Sequence, residues 1–176
     1  MTETMVRRLY ELACTPFLLS KWQERWSSYG WSFDPEPSEP YAFQVTLPEG
    51  IALRVHAEDD RVTAASLPFY FWEEFSPEDH EDPAEFSRQK KAFDAGFDDA
   101  AAVAARLLPE PFLQWRDQDE RAHRAVAWQG TEGILILQQA SVDPQFGLEV
   151  DFWLTQGRRQ DFHPETPLID WLSRLE

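Results

Sequence analysis

Residues 42–55 read AFQVTLPEGIALRV and residues 125–139 read AVAWQGTEGILILQQ. Each is an apolar stretch, a turn containing Glu-Gly, and a second apolar stretch, which predicts a β-hairpin. In the first, Phe43, Val45 and Leu47 alternate with Ala42, Gln44 and Thr46, and Ile51, Leu53 and Val55 alternate with Ala52, Arg54 and His56, so one face is buried. The triplets Glu49-Gly50-Ile51 and Glu132-Gly133-Ile134 lie 83 residues apart. At that spacing Val45 falls on Trp128, Leu53 on Ile136 and Tyr10 on Phe93. Third strands are expected over residues 62–72 and 148–154, where Phe71-Trp72 matches Phe152-Trp153 at a slightly shorter spacing.

Working outward, a helix precedes each set of strands. Leu9, Leu12 and Ala13 have helical spacing, and Thr15-Pro16 reads as an N-cap followed by proline, so a break near Cys14 is expected. Leu18, Leu19, Trp22, Trp26 and Tyr29 continue a second helix that Gly30 stops. Residues 34–40, DPEPSEP, read as a loop because three prolines interrupt them. Asp82-Pro83 opens a long amphipathic helix through Phe86, Phe93, Phe97, Ala101, Ala104 and Leu108, ended by Pro109. A polar linker is expected over residues 116–121, and Thr166-Pro167 caps a short final helix through Leu168, Ile169, Trp171, Leu172 and Leu175.

The expectation is therefore an α+β fold: a single domain over residues 1–176 made of two αβββ pseudo-repeats, with halves at about 1–80 and 81–176. Few identities survive between the halves, so two unrelated hairpins are the alternative reading. An αβββ unit leaves a sheet face and a helix stripe uncovered. Two units close either one six-stranded antiparallel sheet with the helices on one side or two packed three-stranded sheets. Pro68 places the strand over residues 62–72 at an edge or a bulge.

Charge and composition exclude whole classes of function. Thirty-two acidic residues against sixteen Lys and Arg give a formal net charge of −16, which repels nucleic-acid phosphates. Eight Trp, thirteen Phe and four Tyr supply large areas for a core or an interface. One cysteine, Cys14, allows neither an internal disulfide nor a cysteine-based zinc site, and fits a reducing cytoplasm. No window has the length and apolarity of a membrane span or a signal peptide.

Motifs of catalysis are missing. His56, His80, His123 and His163 form no helical metal-binding pair. Residues 80–82, HED, sit in a proline-broken acidic run and read as solvated charge. Residues 117–120, DQDE, lack the glycine and the later glutamate of a calcium loop. No nucleophile elbow occurs, and Gly130-Thr131-Glu132-Gly133 has an acidic centre and no lysine with which to cradle phosphate. No cofactor or metal is called for.

The segment that stands out for function is the aromatic run Phe69, Tyr70, Phe71 and Trp72 followed by residues 73–85, which hold seven carboxylates and no Lys or Arg. From residue 58 to residue 99 there are thirteen acids against four bases, so −9 of the net charge is concentrated there. Acids at a rim speed association with a basic partner, and neighbouring aromatics offer a desolvated centre. The candidate partner-binding residues are Phe69, Tyr70, Trp72, Glu73, Glu74, Glu78, Asp79, Glu81 and Asp82. The alternative is that the aromatics are core and the acids a solubilising loop. Residues 141–147, SVDPQFG, are a second and lesser candidate, read as a turn with Gly147 as a bulge.

Taken together, Trp128-Gln129-Gly130, Gly133 to Gln139, Asp143-Pro144-Gln145-Phe146-Gly147 and Phe152-Trp153-Leu154 resemble the small bacterial proteins encoded beside toxin genes, the polymorphic-toxin immunity proteins. The resemblance is one of type and covers mainly the second half. It implies an acidic cytoplasmic protein that neutralises a basic toxin domain by covering its active site; a monomer or homodimer is expected. Two other readings stand beside it: a secretion-chaperone-like adaptor, and a carboxylate-dependent enzyme acting on a small molecule.

Overall fold

The computed structural model describes residues 1–39, 42–72, 83–116, 124–140 and 148–159. Helices α1 (Glu3–Ala13) and α2 (Leu19–Tyr29) are followed by strands β1 (Ser32–Glu39), β2 (Ala42–Thr46), β3 (Ala52–Glu58) and β4 (Arg61–Trp72). Helix α3 (Pro83–Leu107) then leads into β5 (Leu113–Arg116), β6 (Arg124–Gln129), β7 (Gly133–Ala140) and β8 (Leu148–Gln156). The fold is α+β. All eight strands form one sheet in the order β1-β2-β3-β4-β8-β7-β6-β5, every neighbour antiparallel. Each four-stranded meander contributes its last strand to the centre, where β4 pairs with β8.

Two strands go beyond the expected six, and both are edges. Residues 34–40 were expected as a loop, yet β1 runs through Pro35 and Pro37. It pairs with β2 at Ser32 to Asp34 and at Glu39, with a register shift between, so the prolines sit on an edge where no ladder donor is required. At the other edge, β5 pairs only four residues with β6 and includes Arg116, the expected start of a linker. Pro68 lies in the central strand β4, not at an edge, and the alternative reading applies: the register shifts between Pro68 and Tyr70.

The second helix also begins later than the Thr15-Pro16 signal suggests. Leu18 is its N-cap and makes no side-chain cap bond. The cap comes from the β3–β4 turn instead, where the Asp60 carbonyl accepts from the Leu19 N–H (2.7 Å) and its carboxylate accepts from the Ser20 N–H (2.8 Å) and hydroxyl (3.0 Å). Gly30 ends α2 at φ 72°, a left-handed conformation that glycine adopts without steric cost.

The core lies between the helices and one sheet face. Leu9 and Leu12 of α1, Trp22 and Trp26 of α2, and Phe93 and Phe97 of α3 pack with Val45, Leu53, Leu67, Trp128, Leu135 and Phe152. Ala100 and Ala104 of α3 are fully buried. In the hairpins Val45 pairs with Leu53, but Trp128 pairs with Leu135, so Ile136 points to the opposite face from Leu53. One residue fewer in the turn accounts for this, since a shift of one reverses the face of a strand residue. Among the described residues, no helix is long and apolar enough to cross a membrane. The final helix expected over residues 166–175 lies outside the described residues.

Candidate partner-binding surface

The strand β4 carries the aromatic run and distributes it through its bulge. Leu67 is paired with Phe152 and Pro68 with Asp151, but Tyr70 is paired with Val150 and Phe71 with Glu149. Phe69 is the extra residue. It packs into the core edge against Phe152, with ring centroids 5.8 Å apart, and meets Tyr70 edge-on at 5.8 Å. Tyr70 stands on the helix side over α3, where a Cβ added at Gly96 would lie 2.6 Å from its Cε2. Phe71 faces the other side. Tyr70 is 49% exposed and Phe71 50%, so two of the three rings described here present apolar area to solvent.

Of the other expected partner-binding residues, Trp72 pairs through its backbone with Leu148. Glu73, Glu74, Glu78, Asp79, Glu81 and Asp82 lie outside the described residues, as do residues 141–147 and 117–120, His80, His123 and His163. The described chain resumes at Pro83, the first residue of α3. Phe71 is absent from the expected set; strict alternation would put it on the face of Phe69, and the bulge turns it to the other.

The middle of α3 is held by a charged network. The Arg124 guanidinium lies 4.2 Å above the Phe97 ring and donates to Asp98 Oδ1 (2.7 Å), the Asp94 carbonyl (2.6 Å) and Gln139 Oε1 (3.0 and 3.1 Å). Gln139 Nε2 donates to Asp94 Oδ1 (2.9 Å), and Lys90 Nζ donates to its Oδ2 (2.8 Å). Burial raises the Asp94 carboxyl, but the bonds from Lys90 and Gln139 and the charges of Lys90 and Arg124 outweigh it and hold the group below its usual range. The network ties α3 to β6 through Arg124 and to β7 through Gln139.

A second acid lies on the opposite sheet face. Asp151 is 1% exposed and is paired across the β7–β8 ladder with Gln138, itself 3% exposed. The Trp153 indole N–H donates to Asp151 Oδ2. Asp151 Oδ1 and Gln138 Oε1 have no hydrogen-bond partner among the described residues. Burial, and after it the Glu149 carboxylate, push the Asp151 carboxyl well above its usual range, against the donors of Trp153, Gln138 and its own backbone. Both orphaned atoms are acceptors. A protonated carboxyl brings a donor that the charged form lacks, so the neutral acid suits this place.

Asp151 is not among the sequence candidates, because Leu148, Val150, Phe152 and Leu154 make its strand read as half-buried. The missed signal is β7: Ile134, Leu135, Ile136 and Leu137 are apolar on both faces, which marks a sheet covered on both sides there. A scan against protein-family models finds no matching family, and searches of the curated proteins and of the solved structures find no match either.

Proposed function

We propose that this chain is an acidic protein-binding module of the immunity type, which neutralises a basic toxin domain by covering its active site. The observation that carries the reading is the end of β4, where Tyr70 and Phe71 expose half of their surface on the strand that leads into seven carboxylates over residues 73–85. Exposed rings beside concentrated charge suit an anchor with an electrostatic rim: the acids hasten encounter and the aromatics slow departure. A net charge of −16 and a single cysteine suit a cytoplasmic partner of a basic protein.

The test is binding to the basic product of an adjacent toxin gene. Reversing Glu73, Glu74, Asp79 and Glu81 to Lys is expected to lower the association rate by at least about tenfold at low salt and to remove most of its salt dependence. Tyr70→Ala with Phe71→Ala is expected to raise the dissociation rate by roughly tenfold or more. Unchanged kinetics in the charge-reversed protein would sink the reading.

A further inference from the structure

We propose that Tyr70, Gly96 and Asp99 together form the seat for an arginine side chain of the basic partner. The inference rests on the binding role given to the end of β4, and adds to it two residues of α3 and the chemistry of the group held there. The ring of Tyr70 is positioned as well as exposed. Phe69 meets it edge-on at 5.8 Å, and a Cβ at Gly96 would lie 2.6, 2.7 and 3.1 Å from its Cε2, Cδ2 and Cζ. A side chain at 96 would therefore displace the ring. Gly96 is not among the glycines with positive φ, so its backbone angle does not call for glycine. Glycine in a helix interior destabilises the helix relative to alanine, and the space it leaves here receives a ring that is still 49% exposed.

The acids of α3 differ in what they already hold. Glu85 accepts from Arg88 and Gln89, Asp94 from Lys90 and Gln139, and Asp98 from Arg124. Asp99 is exposed and pairs with no cation among the described residues. Three residues beyond Gly96, it lies on the same side of the helix, with Cβ positions about 5–6 Å apart. Ala92, four residues before Gly96 on that side, is exposed and adds no bulk. An aromatic ring and an uncommitted carboxylate are thus neighbours at one exposed place.

A guanidinium suits both. It is attracted to an aromatic ring within about 6 Å of the centroid, and its forked N–H donors can serve a carboxylate at the same time. An ammonium is a compact point charge without that fork. The net charge of −16 favours a cationic group over an anionic or neutral one.

Titration of the isotope-labelled full chain with acetyl-arginine methylamide, followed by NMR at about 0.15 M salt, tests the seat without a toxin. Saturable shifts are expected at the Tyr70 ring and at the Gly96 and Asp99 amides. The citrulline analogue, which has a similar shape and no charge, should produce none. Tyr70→Phe should bind as the parent does, whereas Tyr70→Leu, Gly96→Ala and Asp99→Asn should each weaken binding by about three- to fivefold. Shifts scattered over the acidic surface with none at Tyr70, equal shifts with the citrulline analogue, or unchanged binding in both Tyr70→Leu and Asp99→Asn would overturn the proposal. Arginine bound at this place while no toxin binds supports the seat and counts against the immunity reading. Toxin binding that responds to the charge reversal but keeps its dissociation rate in Tyr70→Leu and Asp99→Asn overturns the seat alone.

Discussion

Gln138 and Gln139 are neighbours on β7 that point to opposite faces of the sheet, and each meets an aspartate. Gln139 meets Asp94, which also has Lys90 and Arg124 and stays charged. Gln138 meets Asp151, which feels the Glu149 carboxylate and whose carboxyl is pushed toward the neutral form. Burial acts against the charged form at both sites. What separates them is the cation: where guanidinium and ammonium groups share the site, desolvation is outweighed, and where the donors among the described residues are indole and amide N–H groups, it prevails.

The largest expected effect comes from removing the cation. Arg124→Ala leaves Asp94 and Gln139 facing each other without the guanidinium and uncovers the Phe97 ring. A loss of about 2–4 kcal/mol is expected in urea unfolding. Arg124→Lys should recover only part of it, because one ammonium cannot reach Asp98, Gln139 and the Asp94 carbonyl together. A loss below about 0.5 kcal/mol would mean that the network does not hold α3.

Asp151→Asn should act in the opposite direction. The amide copies the neutral acid, with a donor for Gln138 Oε1 and an oxygen for the Trp153 N–H, so a gain on the order of 1–2 kcal/mol at neutral pH is expected. The two acids also give opposite pH dependences. Asp151 has a folded pKa above its unfolded value, so its contribution is most favourable below that unfolded value and is lost as pH rises toward the folded one. For Asp94 the folded value is depressed, so its contribution is present above the unfolded pKa and is lost as pH falls through the folded one. Stability measured from pH 3 to pH 8 should change least with pH above the unfolded value in Asp151→Asn. If that variant keeps the alkaline loss of the parent, the carboxyl is already charged at low pH.

A smaller contrast separates the two glutamines. Gln139→Leu removes a donor from Asp94 and an acceptor from Arg124, and is expected to cost about 1–2 kcal/mol. Gln138→Leu removes an acceptor that lacks a partner together with the amide that donates to Asp151, changes of opposite sign, and should stay within about 0.5 kcal/mol of the parent. Equal losses would erase the difference between the faces.

The hairpins, the Gly30 stop and the long α3 are legible in the sequence because alternation, a left-handed terminus and three-four spacing are local signals. Edges are not. Pro35 and Pro37 argue against a strand unless the strand is known to be an edge, and that depends on partners elsewhere in the chain. Asp60 is likewise opaque, since its role as the cap of α2 exists only after the β3–β4 turn meets residue 19. For the candidate surface, FYFW is an evident aromatic run, but Phe69 inside, Tyr70 at the rim and Phe71 outside follow from a register shift against β8. The raised carboxyl of Asp151 is the least legible, because it depends on burial within the sheet and on the carboxylate of Glu149.

The central pairing of β4 with β8 also sets an order in time. During synthesis, β4 is complete at residue 72, and its partner is complete only at residue 156. At about 5–20 residues per second, the edge waits for roughly 4–17 s. Over that interval Leu67 to Trp72 is an apolar strand with open hydrogen-bonding groups, the kind of segment that pairs with other chains. Pro68 interrupts the row of donors and the adjacent shift bends it, so the irregularity that aims Phe71 outward also guards the nascent chain against association with its own copies.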